Sequence, residues 1–305
     1  MKQQYYLALD IGGSAVKYAV MNQQGVIIVK GDYPSPTTSI DDFWQQFDLN
    51  LSHLFQQYYI IGLAISAPGS VDCDSSVIYG HSALRYLHGP NFRDYVQQQY
   101  HINCEIENDA NCAALAELWQ AKEVDDFCLL VIGSGVGGSM VIDGKVHHGQ
   151  HLHGAEFGYM FVGADDEGKP VTLSGCAATR SLIKNSAKVL GLQESYLNGK
   201  QVFELAENGN ERIQAVIDKW YQMLAYGVYN VQYISDPNRI ILGGAISVRP
   251  DFLARIEQKL DQIFIENPFS SVRPQLSVCQ AGNDANLIGA LHHYLQRQGY
   301  DRQAS

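Results

Sequence analysis

Tyr5-Tyr6-Leu7-Ala8-Leu9-Asp10-Ile11-Gly12-Gly13-Ser14 is an apolar run that ends in a carboxylate and a glycine turn. Such a run, bounded by Asp and Gly, predicts a buried strand followed by a tight reversal. Residues 16–21 read as a second strand and residues 26–30 as a third, with a turn at 22–25 between them. The chain therefore opens as an antiparallel meander. The same grammar returns at residues 127–132, where an apolar strand runs into Gly133-Ser134-Gly135-Val136-Gly137-Gly138. Residues 139–142 run out, Asp143-Gly144 is a two-residue hairpin signal, and residues 145–148 run back. Strand, glycine turn, strand, turn and strand thus occur twice, which reads as an internal duplication.

Working outward, Phe43, Phe47, Leu51 and Phe55 recur at four-residue steps and predict an amphipathic helix over residues 41–58. Residues 60–65 are a buried-strand candidate, 71–79 a short hairpin, and 91–100 a helix. A strand over 101–106 leads into Asn108-Asp109-Ala110-Asn111, which opens a helix reaching about residue 122. The second half carries helices at about 177–190, 211–234, 251–264 and 285–298. Its strands fall at 239–242 and 275–279, with a loop at 163–169. Strands alternating with helices indicate an α/β class. The expected boundaries are an N-terminal lobe over 1–118, with residues 285–305 packing back on it, and a C-terminal lobe over 119–284.

Composition limits the possible partners. The chain has 305 residues, 46% hydrophobic and 17% charged, with a net charge of −11. This describes a globular protein with a substantial core. No basic patch interleaved with aromatics is present, so neither nucleic acid nor an anionic membrane is an expected partner. The six cysteines are scattered without a C-x-x-C pair. With the absence of a signal-peptide pattern or membrane-length apolar run, they point to reduced thiols and a cytoplasmic protein.

The glycine turns are the first candidates for chemistry. Gly133-x-Gly135-x-x-Gly138 formally matches a dinucleotide fingerprint, but that reading needs a helix directly after the glycines. A hairpin is predicted instead, and no P-loop stretch occurs. Dense glycine does expose backbone N–H groups that suit a phosphate. Two such turns at matching positions suggest the phosphates of one nucleotide, with Asp10 holding Mg²⁺ through water. Asp109 is a carboxylate at a helix mouth, where Asp and Asn commonly serve only as caps. Glu156 stands alone among glycines. His147, His148, His151 and His153 cluster before it, at spacings that match no standard zinc set.

Taken in order, these stretches resemble the ROK family of repressors, open reading frames and sugar kinases. The resemblance is carried by Asp10-Ile-Gly-Gly-Ser-Ala-Val-Lys17, Ser66-Ala-Pro-Gly-Ser-Val-Asp72 and Glu107-Asn-Asp-Ala-Asn-Cys-Ala-Ala114. Gly133 to Gly138, Gly154-Ala-Glu-Phe-Gly158, Asp236 to Ser247 and Ala281 to Ala290 complete it. It implies a two-lobed actin/hexokinase-like (ribonuclease H-like) ATPase fold, each lobe a mixed sheet with flanking helices. It implies Asp109 as the base facing a sugar hydroxyl, with Asn108, Glu156, Gly69 and His153 around the sugar. ATP would be met by Asp10, Gly12, Gly13, Ser14, Lys17, Gly133, Ser134, Gly135, Gly137, Gly243 and Gly244. The implied ligands are ATP, Mg²⁺ and a hexose or β-glucoside, phosphorylated at the 6-hydroxyl, and the implied assembly is a homodimer.

Three departures qualify this. Many members place histidine after Glu-x-Gly, where this chain has Tyr159. Many also carry a C-x-C-G-x-x-G-C zinc motif, of which only Ser174-Gly175-Cys176 remains. Residues 80–86 depart as well. No zinc site is expected, and the pattern is similar to a zinc-free branch that includes β-glucoside kinases. The alternatives are a sugar-sensing transcriptional regulator and a catalytically lost sugar-binding protein. Against the regulator stand the acidic charge and the nine residues before Asp10, too few for a helix-turn-helix.

Overall fold

A computed structural model describes residues 3–80, 82–121, 126–165 and 167–300. The predicted helix end near residue 122, His81 within the divergent stretch 80–86, Asp166 in the 163–169 loop, and the tail of 285–305 lie outside the described residues. In chain order the elements begin with β1 (Gln4–Ile11), β2 (Ala15–Met21), β3 (Ile27–Pro34) and α1 (Ile40–Gln57). They continue with β4 (Tyr59–Ala67), β5 (Ser70–Asp72), β6 (Val77–Tyr79), α2 (Phe92–Tyr100), β7 (Asn103–Asn108) and α3 (Asp109–Gln120). Next come β8 (Phe127–Ile132), β9 (Val136–Ile142), β10 (Lys145–Val146), β11 (Phe161–Ala164), β12 (Pro170–Thr172), α4 (Leu173–Ala177) and α5 (Thr179–Leu190). The last are α6 (Gly199–Glu207), α7 (Glu211–Ser235), β13 (Arg239–Gly243), α8 (Phe252–Glu266), β14 (Leu276–Val278) and α9 (Ala285–Arg297).

Over the described residues the chain divides into two compact units. One comprises Met1–Glu123, His148–His153 and Asn283–Ser305, the other Val124–His147 and Gly154–Gly282. The first unit holds a sheet of order β3-β2-β1-β4-β7. β1 is antiparallel to β2 and parallel to β4, and β4 is parallel to β7. Successive side chains of β1 enter opposite faces, as the two-residue period requires. Leu7, Leu9 and Ile11 join Phe43, Trp44 and Phe47 of α1 and Phe92 of α2 in one core. Tyr6 and Ala8 join Cys112 and Trp119 of α3 and Leu287 and Leu291 of α9 in another. Burial on both faces explains why β1 reads as continuous hydrophobe.

α1 starts where Ser39 accepts the Asp42 N–H, with Asp41 and Asp42 in the first turn, an arrangement that caps the helix and suits its dipole. α3 is buried around most of its girth, and its Ala110, Cys112, Ala113, Ala114 and Ala116 are small. Their size lets α9 approach so closely that a Cβ at Gly289 would stand 1.7 Å from Cys112 O. His292 adds a ring stacked on Trp119 and an Nδ1 2.9 Å from Leu115 O.

The second unit repeats the plan with the order β10-β9-β8-β13-β14 and the same strand directions. The duplication read from the sequence is thus present as matching topology. α7 buries Ile213, Ile217, Trp220, Leu224, Val228 and Val231 along one stripe, as the periodicity predicted. The helix expected at about 177–190 is α5, which starts at Thr179; a separate short helix, α4, precedes it, and an extended Ala178 divides the two. The break is tertiary in origin. Thr179 N–H donates to Gly133 O, and Trp220 Nε1 donates to Ala178 O. The loop expected at 163–169 is flanked by the β11–β12 ribbon. The stretch 151–160 is turn with one 3₁₀ turn at Phe157–Tyr159.

Candidate active site

In the first unit, Asp10 is a buried carboxylate one residue before the end of β1. Its Oδ1 accepts from Asn286 Nδ2 at 2.9 Å and from Ser66 Oγ at 3.2 Å. Lys17 Nζ lies 3.7 Å from Oδ2. The β1–β2 reversal is closed by Gly12 N–H donating to Ala15 O at 3.0 Å, and Ser35 Oγ donates to Gly12 O. Asp10, Gly12, Gly13, Ser14 and Lys17 are therefore one local feature, with Gly13 and Lys17 exposed. Asn286, from the far end of the chain, joins it.

The β7–α3 junction is built with more constraint. Asn108, not Asp109, is the N-cap: its Oδ1 accepts the N–H of Ala110 at 2.9 Å and of Asn111 at 3.1 Å. Its Nδ2 donates to Gly69 O at 3.0 Å. Gly69 has φ 104°, and a Cβ there would meet Ile78 Cγ2 at 2.8 Å, so glycine is required twice over. Asp109 is the first helical residue, half-buried, with Oδ1 2.8 Å from Ala110 N. A carboxylate in the first turn is favoured by the helix dipole. Beside Gly69, Ser70 Oγ lies 3.5 Å from His153 Nε2. Gly69, Asn108 and His153 thus gather in one corner of this unit.

Behind Asn108 lies Glu107, with no exposed surface. Its Oε1 accepts from Asn108 N–H at 2.7 Å and from Asn111 Nδ2 at 3.0 Å. Its Oε2 faces His148 Nε2 at 2.7 Å, Cys73 Sγ at 3.3 Å and His293 Nδ1 at 3.7 Å. Burial alone pushes this carboxyl up. The His148 hydrogen bond, the charges of His293 and His148 and the Asn111 amide outweigh it and hold the group down at about 2. The same His148–Glu107 bond raises His148, against burial. Burial lowers His293, which Glu107 only partly opposes.

In the second unit, the β8–β9 turn is closed by Gly133 N–H donating to Gly135 O at 2.8 Å. Val136 N–H donates to Ser174 Oγ at 2.7 Å, which pins the hairpin to α4. Ser134 is exposed at the tip. Gly138 packs so tightly that a Cβ would fall 2.4 Å from Ala155 O and from the Phe157 ring. Gly133, Ser134 and Gly244 line one cavity of about 770 Å³, whose apolar wall includes Ile183, Phe203 and Ile246. Gly244 has φ 98°, and a Cβ there would stand 2.1 Å from Ile132 O. Gly137 lies within β9 and Gly243 ends β13; neither lines this cavity. Glu156 is half-buried ahead of Phe157, and Tyr159 is 69% exposed.

The cavity also draws on residues that the sequence reading did not single out, namely Thr179, Arg180, Asn198 and Lys200. Asn198 and Gln201 form a reciprocal capping box for α6. The Asn-x-x-Gln spacing is visible in the sequence and marks a helix start there. Cys73, His148 and His293 meet Glu107 only through the fold; His148 stood out in the sequence as one of four clustered histidines, but nothing there paired it with Glu107.

Comparison with known proteins places these sites in context. The family model described as ROK family matches residues 6–297. A β-glucoside kinase of Listeria monocytogenes is 30% identical over 95% of this chain and 97% of its own. A β-glucoside kinase of Klebsiella pneumoniae is 31% identical over 95% of each chain. Among solved structures, a ROK family protein from Streptococcus pneumoniae in complex with sucrose superposes with a TM-score of 0.89. It is 33% identical, over 97% of this chain and 100% of that one. The fold is the actin/hexokinase-like ATPase fold of these neighbours, with two units of mixed sheet and flanking helices.

Proposed function

Because the chain belongs to the ROK family and is an ATP-dependent carbohydrate kinase, we propose a specific reaction for it. The γ-phosphoryl group of ATP passes to the 6-hydroxyl of a hexose, or of the non-reducing glucose of a β-glucoside. Asp109 is the base. The hydroxyl oxygen attacks the γ-phosphorus, its proton goes to the Asp109 carboxylate, and the bond to the β,γ-bridging oxygen breaks to release ADP. The transition state is loose, so positioning contributes most of the catalysis and a weak carboxylate base suffices. Substrate choice favours the β-glucoside, given the two β-glucoside kinase relatives at about a third identity.

The observation that carries the assignment of Asp109 is its anchoring. It opens α3 directly after Asn108, which caps that helix and donates to Gly69 O. In the same reading Asn108, Gly69, His153 and Glu156 contact the sugar. Gly12, Gly13, Ser14, Lys17 and the Gly133–Gly137 turn meet the phosphates, and Gly243-Gly244 borders the adenosine, next to the apolar cavity. Asp10 fits a water-mediated Mg²⁺ site: a buried, oriented carboxylate whose Oδ2, among the described residues, has a 3.7 Å lysine contact alone. When bound, Mg²⁺ supplies neutralisation of phosphate charge.

The test is ADP release from purified protein over cellobiose, gentiobiose, glucose, fructose and N-acetylmannosamine. Turnover with a β-glucoside well above the ATPase background is expected; background rates with every sugar overturn the reading. Asp109→Asn is expected to lose turnover while retaining ATP affinity by calorimetry. Unchanged turnover in that variant removes Asp109 from its role.

A further inference from the structure

We propose that Cys73, Glu107, His148 and His293 form a binding site for one zinc-class divalent ion inside the first unit. The site lies away from the missing cysteine motif, and it takes only His148 from the histidine cluster whose spacing matched no standard zinc set. It is independent of the kinase reading.

Four side chains bearing metal-ligand atoms converge from four separate segments: the β5–β6 hairpin, the end of β7, the 148–153 segment and α9. A ligand atom from each of Cys73, Glu107 and His293 lies within 4.8 Å of the other two, and all three residues are buried. His148 Nε2 adds a fourth donor, 2.7 Å from Glu107 Oε2 and 3.8 Å from Cys73 Sγ. The neighbouring separations are 2.7, 3.3, 3.7 and 3.8 Å. Zn–S of about 2.3 Å and Zn–N of about 2.0–2.1 Å place tetrahedral ligands about 3.3–3.6 Å apart, so small shifts would close the set around an ion.

Hydrogen bonding satisfies Glu107 but leaves His293 outside its reach. His148, Cys73 and His293 all face one oxygen, Glu107 Oε2, while Oε1 is taken by Asn108 N–H and Asn111. His293 Nδ1 stands 3.7 Å from that oxygen, beyond hydrogen-bond reach, and its Nε2 is buried with no partner. His293 is 7% exposed. An imidazole whose Nδ1 stands 3.7 Å from a fully buried carboxylate oxygen, beside a thiol, is placed for a shared ion to draw the three together. A divalent ion bound by one thiolate, one carboxylate and two neutral imidazoles gives a centre of zero net charge. Sulfur and nitrogen donors select a zinc-class ion over Mg²⁺. The nearby cations are already matched: Arg93 and Arg297 both bond Cys73 O and pair with Glu105, and Arg297 also pairs with Asp74. They hold the Cys73 backbone in place.

The consequence is mechanical. Glu107 is one residue before Asn108, and its Oε1 fixes both Asn108 and Asn111. An ion on Oε2 would lock the β7–α3 junction to α9 and to the 148–153 segment, making these four residues positioning groups.

The test uses untagged full-length protein and does not depend on turnover. Zinc purified with the protein is counted by elemental analysis and native mass spectrometry. Cobalt(II) is then added to chelator-treated protein. One zinc per chain is expected, together with a thiolate-to-cobalt charge-transfer band. Cys73→Ser should abolish that band and Cys176→Ser should leave it. Chelation should lower the melting temperature of the wild type and not that of His293→Gln. Absence of bound zinc, with no cobalt band in folded wild-type protein, overturns the proposal. So does a band that survives Cys73→Ser.

Discussion

Gly289→Ala isolates the contact that joins the two ends of the first unit. The added methyl would lie 1.7 Å from Cys112 O, 2.4 Å from its carbonyl carbon and 2.9 Å from its Cα. These are backbone atoms of α3, so no side chain can swing aside. α9 must withdraw by roughly 1.5 Å to restore van der Waals contact. Overpacking of this kind costs about 1–3 kcal/mol, and the upper end applies because both helices are wedged on a buried sheet face. The alanine returns about 1 kcal/mol of helix propensity. The net loss is about 2 kcal/mol, or roughly 4–8 °C in melting temperature for a unit of this size. Urea unfolding followed by circular dichroism reads it directly, with a lower midpoint at unchanged slope. Gly289→Val, larger and β-branched, should fall further. A Gly289→Ala protein as stable as the wild type, or more so, would refute the close approach of α3 and α9.

Gly244→Ala forces a non-glycine residue to φ 98° and drives its methyl to 2.1 Å from Ile132 O. A tenfold or greater loss of ATP affinity by calorimetry is expected, in protein that still shows native circular dichroism; wild-type affinity would dissociate this turn from nucleotide binding. Tyr221 is buried, and burial, with the Asp251 charge, pushes its phenol up to about 12. A raised folded pKa means the contribution is fully present below pH 10 and disappears as pH rises from 10 through 12. Tyr221→Phe should therefore flatten the alkaline limb of the stability curve by on the order of 2 kcal/mol; an identical limb in the variant counts against the assignment.

What the sequence disclosed was local. β1 and β8 are continuous apolar runs ended by glycine, so their strands, turns and repetition could be read directly. The α7 stripe was equally plain because one face of a 25-residue helix carries the core. The α4–α5 break was hidden, since it is set by Thr179 N–H and Ala178 O bonding to distant partners rather than by a local breaker. At the β7–α3 junction the sequence reading put the possible cap at Asp109; the cap is Asn108, whose amide also bonds Gly69 O. The Glu107 cluster was invisible for a simpler reason. Its partners come from 34 and 41 residues away and from the other end of the chain.

The late arrival of α9 also orders events during synthesis. One face of the first sheet is covered by Leu287, Leu291 and Tyr294, whose ring sits against Gly62. Asp10 receives its amide from a residue 276 positions later. At about 5–20 residues per second, α9 follows α3 off the ribosome by roughly 9–35 s. The second unit, almost continuous in sequence, is complete before then. For that interval the nascent first unit lacks the helix that completes the cover of this face, which makes α9 the last stitch in its core.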